Sequence, residues 1–458
     1  MKSKLLAVAV VVCAFTWAVA PAMADTGGGG AGAAQIGLQN ASTDQLAAAA
    51  ALSNQNAVNA NTPANVAGGN ITSGPSSANQ YADSNAEAKA SNDAETKQKQ
   101  NQDQTVDAGS CSVGCGGTGA AQIGAQLSDT QQQADSLAVS DQNAVNANVP
   151  VNVAGGDITS GPSSANQYAN SDAKAKASND AETKQKQDQT QNVGGDPSCS
   201  VGCGGPGAAQ IGVQDASTDQ WAAAAAISKQ NAVNANVPVN VAGGDITSGP
   251  SSANQYANSD AKAKASNDAE TKQKQDQTQN VDGSSSCSVG CGGPGAAQIG
   301  IQKADTQQAA GAFALSDQNA VNANVPVNVG GGNITSGPSS ANQYADSSAE
   351  AKASNDAQTK QKQDQTQNVD GSSTCYVGCG GAGAAQIGFQ RADTQQGAFS
   401  GALSLQNAVN TNAPHSVAGG NIYGGPSSAN QYVNSEAEGK ASNDADTKQS
   451  AWQNQMVG

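Results

Sequence analysis

The sequence predicts an all-β chain, a tandem array of five units of about 88 residues wound as a β-solenoid or stacked strand upon strand. Three observations lead there. One long phrase recurs five times at nearly constant spacing, residue character alternates with a period of two, and large apolar side chains are too scarce for ordinary cores.

The phrase "QNAVNANVPVNVAGGDITSGPSSANQY" begins at Gln142 and returns without a substitution at Gln230, with close variants starting at Gln55, Gln318 and Gln406. The isoleucine of "AAQIG" falls at Ile36, Ile123, Ile211, Ile299 and Ile387, in steps of 87, 88, 88 and 88. The tyrosine of "SANQY" keeps the same steps at Tyr81, Tyr168, Tyr256, Tyr344 and Tyr432. A fixed period is the signature of repeat architecture, and stacked units tolerate less drift than domains on loose linkers. The expected organisation is a leader at 1–24 and repeats at 25–110, 111–198, 199–286, 287–374 and 375–458. The last is atypical ("APHSVAGGNIYGG"), as a capping unit would be.

The leader reads as a secretory signal peptide. Lys2 and Lys4 precede the apolar "LLAVAVVVCAFTWAVA", and Ala22-Met23-Ala24 forms an A-x-A cleavage site before Asp25. No later segment is apolar enough to span a membrane. The chain is therefore expected to be secreted, at the cell surface or beyond it, without membrane insertion after cleavage.

The strand signal is clearest over residues 163–193. The odd positions carry Ser, Ala, Gln, Asn, Thr and Val, while from Asp172 the even positions hold nearly every charge, including Lys174, Lys176, Asp180, Glu182, Lys184 and Lys186. That is a period of two. "NAVNANVPVNV" alternates again, and the "GG" at Gly155 and "GP" at Gly161 punctuate as turns. A thin interior of Ala, Ser and Val, with Asn and Gln ladders, would suit such strands. The alternatives are a polar helix over "DAKAKASNDAETKQKQ", which lacks an apolar stripe, or a disordered repeat. Gln122, Gln142, Gln167, Gln191 and Gln210 open related phrases at spacings of 20, 25, 24 and 19, which reads as solenoid coils of about that length. Ile123, Gln142 and Tyr168, with Ile211, Gln230 and Tyr256, are the candidate stacking residues.

Composition bounds the rest. Hydrophobic residues make up 37% but aromatics 3%, and charged residues 13%. Burying a large apolar side chain is worth roughly 1.5–3 kcal/mol and alanine far less. The net charge is −16, or −18 once Lys2 and Lys4 leave. An acidic chain without a basic patch is a poor nucleic-acid ligand.

Four Gly/Ser-rich junctions carry C-x-x-x-C pairs at Cys111/Cys115, Cys199/Cys203, Cys287/Cys291 and Cys375/Cys379. An exported chain favours disulfides. At ~3.3 Å per residue an extended i, i+4 pair is too far apart to bridge, but a turn at Gly114 would close a local bridge. Bridges between units or molecules remain open, and zinc is the weaker reading.

The constellations of catalysis are missing from the sequence: His415 is the single histidine, and no nucleophile elbow, Walker loop or dinucleotide fingerprint occurs. His415 reads as a solvated loop residue. The "NIT" sequons at Asn70 and Asn333 and the Asp residues of "GGDITSG" (Asp157, Asp245) carry no ligand pattern of their own. The expectation is a non-enzyme with no cofactor and no metal.

Residues 33–40, "AAQIGLQN", and 208–215, "AAQIGVQD", resemble the Q-x-G-x-x-N core of curlin repeats, which stack into secreted amyloid fibres. "NVPVNVAGG", 148–156, resembles the "VPVNVCGN" phrase of chaplins, surface-active proteins of filamentous actinobacteria, with Ala154 in place of their Cys. Both resemblances imply self-assembly. The expected function is a secreted structural protein of the cell surface or matrix, self-assembling or adhesive. The alternative is an extracellular module presenting a regular β face to ice, a cell-wall or surface glycan, or mineral, although no Thr-x-Thr array favours ice.

Overall fold

The computed structural model describes residues 32–108, 119–195, 198–199, 206–283, 285–287, 294–370, 373–375 and 382–457. The leader at 1–24 lies outside them, as do Cys111, Cys115, Cys203, Cys291 and Cys379.

Each repeat forms one coil of four strands. In the second coil these are Gly119–Asn148, Val151–Ala154, Ile158–Ser160 and Ser163–Gly195. A coil is thus the whole repeat rather than the 19 to 25 residues that the glutamine phrases indicate. Those phrases mark points along a single long turn. The segment "DAKAKASNDAETKQKQ" is strand, not helix or irregular chain.

Equivalent strands of successive coils pair in parallel, residue upon equivalent residue: Ile36 on Ile123, Ile123 on Ile211, Tyr168 on Tyr256. Four five-stranded sheets result, one for each strand of the coil. A fifth, three-stranded sheet stacks Ser198–Cys199, Ser285–Cys287 and Ser373–Cys375. The constancy of the repeat length follows. Side chains alternate between faces, so a one-residue slip would turn every interior group out and every exterior group in.

Turns at the diglycine and Gly-Pro sites reverse the chain within each coil, so the two long sheets face each other across the interior. Asn61 Nδ2 donates to Ser76 Oγ at 3.0 Å, and Gln39 Nε2 crosses to the carbonyl of Lys99 at 2.8 Å. A 30-residue strand rises about 100 Å, and five rungs of ~4.8 Å stack to about 24 Å. The prolines interrupt strand geometry but not the stacking: Val239 N donates to Pro150 O at 2.8 Å.

The interior is alanine and amide. Stacked alanines from both long strands, such as Ala138, Ala177, Ala226 and Ala265, form one cluster. Gln185, Gln187, Gln189 and Gln191 fill the region beside it. Residues 163–193 follow the alternation read from the sequence. The first long strand buries most of its alanines but turns its large apolar side chains to the other face. Its buried set includes Gln122, Gln126, Gln132, Gln142, Asn146 and Asn148, while Leu137 is exposed. The expected valine interior is therefore corrected in part. Val193 is buried, but Val153 faces out between buried Asn152 and Ala154. The largest fully buried apolar side chains are Ile158, Ile246 and Ile334, on the three-residue strands.

Candidate assembly surfaces

Most of the interior amides satisfy one another, although Gln187 Nε2, Gln275 Oε1 and both amide atoms of Gln363 make no hydrogen bond among the described residues. Gln230 Nε2 donates to Gln142 Oε1 at 3.0 Å, and Gln318 continues that column at 2.7 Å. Many amides also reach across the interior, as Gln126 Nε2 does to the carbonyl of Lys186 at 2.9 Å. Each such group has both a rung partner and a cross-sheet partner, which removes most of the penalty for burying it.

The glycine of "AAQIG" makes room for a further column of amides, which packs over it. A Cβ at Gly124 would stand 1.9 Å from Gln187 Nε2, and one at Gly212 would stand 1.8 Å from Gln275 Nε2. In this motif the isoleucine is the expected stacking residue. By strand parity Ile123 and Ile211 point away from the amide interior, Ile123 half-buried and Ile211 buried, while the adjacent Gln and Gly are directed inward. The signal was present, since in "AAQIGxQ" both glutamines and the glycine share one parity.

The five tyrosines form an outward ladder with ring centroids 4.8 Å apart and interplanar angles of 0 to 7°. The groove beside it, about 780 Å³, is lined by the same Asn-Gln-Tyr triplet from all five coils. Burial raises the Tyr168 and Tyr256 hydroxyl pKa values, and neighbouring ladder tyrosines add to the shift.

The two broad outer faces differ. On the first long strand each of the first four coils turns five Val, Ile, Leu, Phe or Trp side chains outward, and the fifth turns six. Charged residues there number one to three per coil, against six to nine per coil on the opposite face. On that charged face Lys272 bonds Glu270 at 2.6 Å and lies 3.8 Å from Glu182 of the coil before. Asp93, Asp180, Asp268, Asp356 and Asp444 form one all-aspartate column. Partial burial raises the pKa of Asp180 and Asp268, and stacked like charges add to it.

At the diglycine turn, Asn70 Oδ1 accepts from Asp157 N, Asp157 Oδ1 from Asp245 N, and Asn333 Oδ1 from Asn421 N, at 2.8 to 2.9 Å. The sequon asparagines and the "GGD" aspartates thus belong to one turn ladder, which was not anticipated. His415 opens the strand His415–Ala418 and is exposed there, rather than lying in a loop. The disulfide proposal falls outside the described residues. For Cys199, Cys287 and Cys375 the backbones alone are placed, in register with one another.

Among the described residues each long sheet has two open edges. Gly32–Asn61 and Ser76–Ala108 bound the long sheets on one side, and Gly383–Asn412 and Ser427–Val457 on the other. Among the described residues nothing covers the fifth coil, whose last strand is exposed along nearly its whole length. No protein-family model, curated protein or solved structure matches the chain, so the functional reading rests on this geometry.

Proposed function

We propose that the chain is a secreted structural protein of the cell surface or extracellular matrix that works by assembling with copies of itself. The observation that carries this reading is the pair of open edges that bound the described coils. Each offers two strands of 30 or more residues with unpaired backbone groups along one side. Such edges template further strands unless something blunts them. Every coil has nearly the same cross-section, so an added coil would meet a surface like the one inside the array. The signal-like leader and the acidic charge fit an exported, water-exposed product. Catalysis plays no part in this reading.

Electron microscopy and fibre diffraction of the purified chain test it. Fibres with a ~4.8 Å strand reflection and a longer axial period of about 24 Å, one molecule of five rungs, are expected. Salt should speed assembly by screening the acidic charge. A chain that stays monomeric at high concentration and high salt would sink the reading. A second reading, a binding module, is supported by the apolar outer face, whose columns repeat at the rung spacing. Saturable adsorption of monomers to glycan or mineral without assembly would favour it.

A further inference from the structure

The two ends of the array carry opposite hydrogen-bonding patterns. In the glutamine columns the later coil donates to the earlier: Gln122 to Gln35, Gln210 to Gln122, Gln298 to Gln210 and Gln386 to Gln298, at 2.8 to 3.0 Å. Gln431 donates to Gln343 in the same sense. Interior asparagines run the other way. Asn59 donates to Asn146, Asn146 to Asn234, Asn234 to Asn322 and Asn322 to Asn410, each at 3.0 Å. The first coil therefore ends in glutamine N–H donors and asparagine oxygen acceptors. The fifth coil ends in glutamine acceptors and asparagine donors at the same places in the cross-section.

We infer that the partner for each edge is the opposite edge of a second copy, joined head to tail and in register. The inference rests on the self-assembly proposed above and specifies its joint. Gln35 of one copy would donate to Gln386 of the next, and Tyr81 would stack on Tyr432. A two-fold contact between identical edges would run the facing strands antiparallel and take every column out of register, so the Gln, Asn and Tyr ladders would break off at the joint. A head-to-tail contact does not close on itself, so it propagates as a filament.

The fifth coil departs from its siblings in ways that suit this joint. Ser450 stands where the other four carry Lys99, Lys186, Lys274 and Lys362, so Lys99 of the next copy would meet a hydroxyl rather than another ammonium. Gly397 would lie opposite Leu46, and Phe399 opposite Ala48, large against small. A Cβ at Gly397 would have nothing within 4 Å, which leaves room for the leucine.

Two full-length variants test the joint, Ser77→Cys and Ser428→Cys. Both positions are exposed and occupy one outward column. Rungs ~4.8 Å apart lie within the 4.4–6.8 Å Cα range of disulfides. The two proteins are mixed, assembled and oxidised, and cross-links are mapped by mass spectrometry of non-reduced peptides. The inference expects the disulfide between position 77 of one copy and position 428 of another to be the dominant new cross-link, at least tenfold over either homotypic one. Fibres dominated by a homotypic link at either position, or bearing no cross-link between the two positions, overturn the head-to-tail joint while leaving self-assembly standing. Mixtures in which neither fibres nor cross-links form overturn both.

Discussion

Replacing Gly212 with alanine tests the interior directly. The added Cβ would lie 1.8 Å from Gln275 Nε2 and 2.9 Å from Gln277 Nε2. Gln275 must swing away by more than an ångström. It is fully buried, and its Nε2 donates to Gln187 Oε1 at 3.3 Å, so the displaced amide finds no water. An orphaned buried amide costs about 1–3 kcal/mol, and overpacking a dense interior another ~1–3 kcal/mol. Removing a glycine from a strand returns about 0.5–1 kcal/mol. The net expectation is a loss of about 2–4 kcal/mol. Gly311→Ala is the control: it lies on the outer face of the next coil with nothing within 4 Å of its Cβ. It should be neutral or stabilising by up to about 1 kcal/mol. Adding Gln275→Ser to Gly212→Ala should recover at least ~1 kcal/mol as a coupling energy. Repeat arrays can open piecewise, so hydrogen exchange of the second to fourth coils should accompany urea denaturation. If Gly212→Ala and Gly311→Ala behave alike, the packing of glutamine over the "AAQIG" glycine is wrong.

Tyr256 has stacked neighbours on both sides and Tyr81 on one, at about 0.5–1.5 kcal/mol per pair. Denaturation midpoints should show Tyr256→Ala losing roughly twice as much as Tyr81→Ala, and equal losses would argue against the ladder. The raised carboxyls of Asp180 and Asp268 bind protons more readily folded than unfolded. Stability should therefore climb as pH falls from neutral through their raised values and level off below the ordinary 3.8. Glu95 and Glu350, lowered by hydrogen bonds from Lys97 and Lys352, work in the opposite sense and lose stabilisation as pH falls below the ordinary 4.5. A melting profile with a mid-acid maximum, made flatter by Asp268→Asn, is the expected result; a steady fall from neutral pH would contradict it. Inserting one residue between Ala175 and Lys176 should expose the remainder of that strand to protease by turning Lys184 and Lys186 inward, and an insertion without effect would break the register argument. Non-reduced peptide mapping should find the cysteines joined within each C-x-x-x-C, and free thiols at most sites would refute that pairing.

The fourth strand of each coil was legible because its exterior is charged. Lys174, Asp180 and Lys184 cannot be buried unpaired, so the opposite parity had to be the interior. The first strand lacks that marker. Its exterior carries Ile123, Leu137 and Val145, and its interior Gln122, Gln132 and Asn146. Valuing residues by hydrophobicity alone points the wrong way. What decides the matter is the partner strand: amides become cheap to bury when an identical amide sits one rung away, and that becomes visible once coils are stacked. Coil length was misjudged for a related reason. Glutamine marks interior positions throughout the coil, so its spacing reports local phrases rather than turns. The tyrosines were legible as stacking candidates from their constant spacing, but spacing alone does not say that it is their rings that meet.

An interior of amides and methyl groups also sets the temperature response. Unfolding an oily core raises the heat capacity by about 0.45 cal/K/mol for each Å² of apolar surface exposed, whereas exposed polar surface lowers it by about 0.26. Here Gln187, Gln275 and Asn234 are exposed together with Ala177 and Ala265 on unfolding, and the two contributions oppose each other. The stability curve of this chain should therefore be shallow and broad, with little of the curvature that brings ordinary globular proteins towards cold denaturation. Order held by stacked rungs persists on cooling, where order held by expelled water weakens.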